Sequence, residues 1–209
     1  MNNILVILIG VLITITLSLF GLVLIPSWQF EQMPPVEVAA ADGTTVMYPS
    51  KPDAEVAQGR EVYRSMGCLY CHSQQVRPEG FGADLDRGWG QRRSVPRDYV
   101  LQNPTLLGTM RTGPDLANIG FRQPNDEWHY LHLYDPVILS PGSTMPPHRF
   151  LFELVSGSLD PKYEEGVTAF KVPSDYLPEP SWIVPSPRAK QLIAYLKSLQ
   201  QPYSLEEIQ

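Results

Sequence analysis

Gly67-Cys68-Leu69-Tyr70-Cys71-His72 holds both cysteines of the chain and one of its four histidines. C-x-x-C-H is the spacing at which two thiols attach a haem through its vinyl groups while the next imidazole ligates the iron. Three other chemistries use two nearby thiols. A thioredoxin-like redox pair opens a helix after a buried strand, and no such strand precedes Cys68. Zinc needs further ligands, and His129 and His132 are remote from Cys71 in sequence. A disulfide across two intervening residues closes a small, strained loop and contributes little. The motif points to one covalently bound haem c, held by Cys68 and Cys71, with His72 on the iron.

A second axial ligand must come from Met145, Met110, His129, His132 or His148. A thioether favours the reduced, less charged iron and raises the potential. Met145 is the first candidate. It lies in Ser143-Thr144-Met145-Pro146-Pro147, where a following proline favours extended backbone. Core filling is the competing role for a methionine there. Met110 is the second choice. His129 and His132 flank Trp128 and Tyr130 on an expected short helix, 125–133, and suit hydrogen bonds to backbone or propionate, or a neighbouring subunit. Gly113-Pro114 reads as a loop passing close to His72. The Pro114 carbonyl could then accept from the ring and fix its tautomer. Arg77, Arg111 and Trp89 are candidates for the haem propionates.

These residues need a scaffold. Ile4 to Ile25 carries no charge and, at about 1.5 Å per residue, spans roughly 33 Å, close to the hydrocarbon thickness of a bilayer. Trp28 suits the interface that follows. A cleavable signal has a shorter apolar run after positive charge; here no Lys or Arg precedes it. The expectation is an uncleaved anchor over 1–26, with membrane lipid around it. Pro26, Pro34, Pro35, Pro49 and Pro52 suggest an extended linker over 27–52.

Asp53 can cap a helix over 54–66, with Gly59 marking close approach by another helix and Gly67 ending it. Pro187 can open a second helix over 188–199, with Leu192, Ile193, Tyr195, Leu196 and Leu199 on one face. The stretch between is rich in Pro and Gly and poor in periodicity. The fold class expected is mainly α: a single N-terminal transmembrane helix plus a class I-like cytochrome c domain with long loops, over 53–209. Residues 151–185 read as an insertion. The formal net charge of −6 lies wholly after the anchor, which argues against nucleic acid as a partner.

Gly59-Arg60-Glu61-Val62-Tyr63, the 67–74 run and Val76-Arg77-Pro78 resemble the monohaem c-type subunit of cbb3-type cytochrome c oxidases. So do Arg111-Thr112-Gly113-Pro114-Asp115-Leu116-Ala117, the 128–136 run and Ser143-Thr144-Met145-Pro146. The resemblance implies His72 and Met145 as axial ligands and a catalytic haem-copper oxidase subunit as partner. It implies electron delivery from a further cytochrome c subunit or a soluble cytochrome c donor, and a cytoplasmic membrane location with the C-terminal domain periplasmic. Rival readings are the monohaem subunit of a nitric oxide reductase, a free-standing anchored shuttle, and a peroxidase-like enzyme with an open iron site.

Overall fold

A computed structural model describes residues 3–157, 169–173, 175–177 and 181–208. Helix α1 (Ile4–Leu19) passes through a π-turn (Phe20–Leu24) into α2 (Ile25–Glu31). The 28-residue helix has an 18-residue window of mean hydropathy 2.8 and buries none of it against the protein. A helix apolar on all sides with no protein cover has the length and composition of a membrane span.

The anchor was expected to end at Pro26, yet the helix continues to Glu31. The Ile25 N–H reaches back to the Phe20 carbonyl, so the hydrogen-bond register has already changed before the proline removes a donor. The extended linker is a second correction. Strands β1 (Val36–Ala39) and β2 (Thr45–Tyr48) form an antiparallel hairpin, with Val36 opposite Tyr48 and Ala39 opposite Thr45. Its turn is Asp42-Gly43: the Asp42 carboxylate accepts from the Thr44 N–H at 2.9 Å, and Gly43 takes φ +82°.

Two compact units result. The first comprises Met1–Lys51, Val95–Asn103 and Ser204–Gln209, and Tyr48 Oη donates to Asp98 within it at 2.7 Å. The second comprises Pro52–Ser94 and Pro104–Tyr203. Residues 95–103 and 204–209 thus group with the N-terminal unit rather than with the 53–209 domain.

In the second unit, α3 (Ala54–Ser65) is capped by Asp53, whose side chain accepts from the Val56 N–H at 2.8 Å. The other long helix, labelled α6 once the intervening elements are counted, is Pro187–Ser198, capped by Ser186. The two pack at the expected glycine: a Cβ on Gly59 would lie 1.8 Å from the Gln191 carbonyl oxygen. Tyr63 and Tyr195 meet beside that contact with ring centroids 5.4 Å apart.

Between them run two shorter helices, α4 (Ile119–Arg122) and α5 (Asp126–Tyr134). A Cβ on Gly120 would lie 2.1 Å from the Lys197 carbonyl oxygen, so α4 also abuts the α6 backbone. The described part of 151–185 holds β3 (Phe152–Ser156), β4 (Phe170–Val172) and β5 (Ser181–Pro185), an antiparallel sheet in the order β3-β5-β4. It packs on α5 through aromatic rings, with Tyr130 4.6 Å from Phe170 and Tyr134 5.8 Å from Phe152. The domain is mainly α, as expected, with these strands added.

Gly59→Ala is expected to force α3 and α6 apart and to destabilise the domain by about 1–3 kcal/mol. Chemical denaturation of the second unit's signal checks this; an unchanged midpoint would contradict the packing.

Candidate functional site

The chain leaves α3 at Gly67, whose φ of +74° turns it away from the helix axis. One tight turn, Cys68–Tyr70, follows, and the His72 N–H returns to the Cys68 carbonyl at 2.9 Å. This places both thiols and the imidazole within one short loop. Cys68 is half-buried, Cys71 is exposed, and no disulfide joins them. Burial, and secondarily the neighbouring Cys71, pushes the Cys68 thiol up to about 11. A nucleophilic redox cysteine needs the opposite shift. Among the described residues no cluster of three or more His, Cys, Asp or Glu side chains is placed to hold a bare metal ion. The zinc reading thus finds no ligand set there.

The His72 ring is fixed from one side by the 113–114 loop. Its Nδ1 lies 2.8 Å from the Pro114 carbonyl oxygen, the contact the sequence suggested. A carbonyl can only accept, so Nδ1 carries the proton and Nε2 keeps the lone pair a metal requires. A Cβ on Gly113 would lie 2.2 Å from Cε1 of His72, so only glycine permits this approach. Burial lowers the His72 pKa and so favours the neutral ring; the Pro114 hydrogen bond opposes that shift in part while it orients the ring.

Asp115 ties the two loops together. Its buried carboxylate accepts from Ser73 Oγ at 2.6 Å, the Gln75 N–H at 2.7 Å and the Ala117 N–H at 2.8 Å. The Leu116 N–H adds a backbone bond to the Ser73 carbonyl at 2.8 Å.

A cavity of about 570 Å³ opens beside this loop. Such a volume suits an organic cofactor. Cys68, Cys71, His72, Pro114 and Met145 all line it. Its apolar walls include Leu116, Ile119, Leu133, Leu192 and Leu196, from α4, α5, α6 and the loop before α4. Of the other ligand candidates, His129 and His132 reach the cavity, whereas Met110 is exposed and lies outside the lining, as does His148. His129 is committed elsewhere, with Nε2 2.8 Å from the Gln123 carbonyl oxygen. His132 stacks on Trp128 with ring centroids 4.6 Å apart. Burial, then the neighbouring histidines, pushes the His132 pKa down to about 4.

Arg77, Arg111 and Trp89 are not in the cavity lining. The two arginines converge on buried Asp84, at 3.0 Å from Arg77 and 2.5 Å from Arg111. Arg111 also donates to Ser73 Oγ at 2.8 Å, and its guanidinium lies 5.3 Å from the Trp89 ring. Arg111 is also 3.7 Å from the Asp115 carboxylate, so both expected propionate partners are engaged with protein carboxylates outside the lining. The arginine on the cavity wall is Arg122. Nothing in its local sequence marks it; only the fold brings α4 to the site.

The residues present fit a haem: two thiols beside an oriented imidazole, a thioether in the lining of the same cavity, an apolar slot, and a glycine whose missing side chain makes room for the imidazole. The chain matches the family model described as cytochrome c oxidase, mono-heme subunit/FixO over residues 2–176. It belongs to that family. Comparison with curated proteins finds no match. Membership makes the chain the mono-haem subunit of a cytochrome c oxidase, and a catalytic oxidase subunit its partner. The family match decides against nitric oxide reductase. It also gives the N-terminal helix of this FixO-family chain a membrane-bound complex to sit in.

Asp84 supplies a pH test. Burial alone would raise its carboxyl, but hydrogen bonds from Arg111 and then Arg77 outweigh that and hold it well below the usual carboxylate range. A depressed folded-state pKa stabilises above the unfolded value of about 3.9, and the contribution fades as pH falls below it. Asp84→Asn is expected to cost about 2–4 kcal/mol at pH 7, with Arg77 partly exposed to solvent. The gap from the parent protein should narrow on acidification below about pH 4. Urea unfolding at both pH values measures it; a gap that stays constant would contradict the network.

Proposed function

We propose that this chain is the electron-relay subunit of a cbb3-type cytochrome c oxidase. Cys68 and Cys71 attach one haem c covalently, and His72 and Met145 are its axial ligands. The observation that carries this reading is the His72 Nδ1 to Pro114 contact of 2.8 Å, which leaves Nε2 as the ligand nitrogen on a cavity that Met145 also lines.

A haem bound here supplies a one-electron couple. The chain's residues orient it, shield it and set its potential. The Pro114 carbonyl, accepting from Nδ1–H, makes the His72 imidazole a better donor. Met145 favours the less charged state of the iron, and the leucine and isoleucine walls act in the same direction by lowering the local dielectric. A raised potential suits delivery to an oxidant. The donor is a further cytochrome c subunit or a soluble cytochrome c, and the acceptor is the catalytic haem-copper subunit that reduces oxygen to water.

The N-terminal helix anchors the chain in the bacterial cytoplasmic membrane, with the N-terminus inside and the cavity-bearing domain periplasmic. Support for that orientation is the attachment chemistry, which takes place outside the cytoplasm for c-type cytochromes. In domain terms the chain is an anchor, a membrane-proximal segment and a cytochrome domain, with 151–185 an addition whose described strands pack on α5.

Met145→Ala is the direct test of the ligand set. The midpoint potential is expected to fall by well over 59 mV, the equivalent of a tenfold change for one electron. Haem attachment through the cysteines should persist. An unchanged reduced spectrum and potential would remove Met145 from the iron. Detergent purification tests the assembly: the chain should leave the membrane with a partner containing haem and copper, and isolation as a lone stable cytochrome would favour the shuttle.

A further inference from the structure

The four imidazoles of the chain differ in what holds them. His72 is fixed by the Pro114 carbonyl, and His129 by the Gln123 carbonyl. His148 lies outside the cavity lining. His132 lines the cavity, is half-buried, and has its Nδ1 buried with no hydrogen-bond partner. Its ring is held by stacking on Trp128, 12° from parallel. A buried imidazole nitrogen without a partner costs free energy, and an apolar side chain would fill the same space without that cost.

His132 also lies beside the segment that carries Met145. The His148 N–H donates to the carbonyl of Leu133, the residue after His132, at 2.8 Å. One residue further along, Arg149 pairs with Asp135. Two ties thus fasten the chain just after Met145 to the end of α5, and both Met145 and His132 line the cavity. His72 borders the same space: after burial and His129, it is the next group that lowers the His132 pKa. A neutral imidazole holds a free lone pair, and it is a common ligand of iron. A stacked ring can turn without breaking a hydrogen bond.

We propose that His132 is the reserve axial ligand of this haem, taking the second axial position on the iron when the Met145 thioether is lost. The inference rests on the haem reading above. In the exchange the iron–sulfur bond breaks and an iron–nitrogen bond forms from the imidazole lone pair, with no net transfer of a proton or an electron. The iron stays six-coordinate and closed to small ligands, at a lower potential than with the thioether.

The test uses full-length protein produced with its haem-attachment machinery: parent, Met145→Ala, His132→Phe and the double variant. Pyridine haemochrome absorbance and intact mass report first whether the parent carries one haem; a haem-free parent overturns the underlying reading rather than this one. Electron paramagnetic resonance and near-infrared magnetic circular dichroism then identify the ligands of the ferric iron. Met145→Ala is expected to lose the sulfur-to-iron band yet stay low-spin with a bis-imidazole signature. The double variant should lose that signature and turn high-spin. High-spin iron in Met145→Ala alone would overturn the proposal, as would a bis-imidazole signature that survives in the double variant. Loss of the sulfur band in His132→Phe alone would make His132 a support of Met145 rather than its replacement, and would also overturn it. Should the double variant fail to accumulate, Met145→Ala/His132→Gln takes its place with the same expected loss.

Discussion

The contact between Gly113-Pro114 and the His72 ring is the constraint on which the site depends. A side chain at 113 would overlap the imidazole, and the 114 carbonyl sets its proton on Nδ1. Neither effect works unless the two loops hold their distance. Asp115 supplies that, with three donors from both loops on one buried carboxylate. Behind it, the α3–α6 contact at Gly59 sets where the thiol-bearing turn begins. The order of dependence runs from helix packing to loop register to ring orientation, and a fault at any level reaches Nε2 of His72.

Polar groups around the site divide into two sets. Asp84, Arg77 and Arg111 form an ion-pair network outside the cavity lining, which Arg111 extends toward Asp115 at 3.7 Å. The cavity itself is mostly apolar; its polar side chains include His72, the His132 imidazole stacked on Trp128, Arg122, Gln123, Ser143 and Thr144. This separation suits the haem of the family. Apolar walls keep the local dielectric low around a group bound there.

Much of this was legible in the sequence because the signals are local. The Cys68–His72 spacing, the Asp53 cap, Gly59 in a helical pattern and Gly113-Pro114 each carry their own physical cause within a few residues. What the sequence hid was non-local or masked. The hairpin at Val36–Tyr48 lay among prolines, which drew attention from the Asp42-Gly43 turn between β-branched residues. Continuation of the helix through Pro26 depended on a change of hydrogen-bond register that no residue type announces. The strand at Ser181–Pro185 offered a short apolar run, ambiguous until its partners were placed. Arg77 and Arg111 looked available because their partner Asp84 belongs to a loop with no periodicity. Arg122 was hidden because only the fold brings α4 to the cavity wall.

The central claim is that this chain carries one covalently attached haem in the cavity beside His72. Intact-mass measurement with a pyridine haemochrome spectrum, on protein made in an export- and attachment-competent host, tests it most directly. The account predicts one haem mass per chain, a c-type spectrum and no free thiol at Cys68 or Cys71. A colourless chain of unmodified mass, with both thiols titratable, would contradict it.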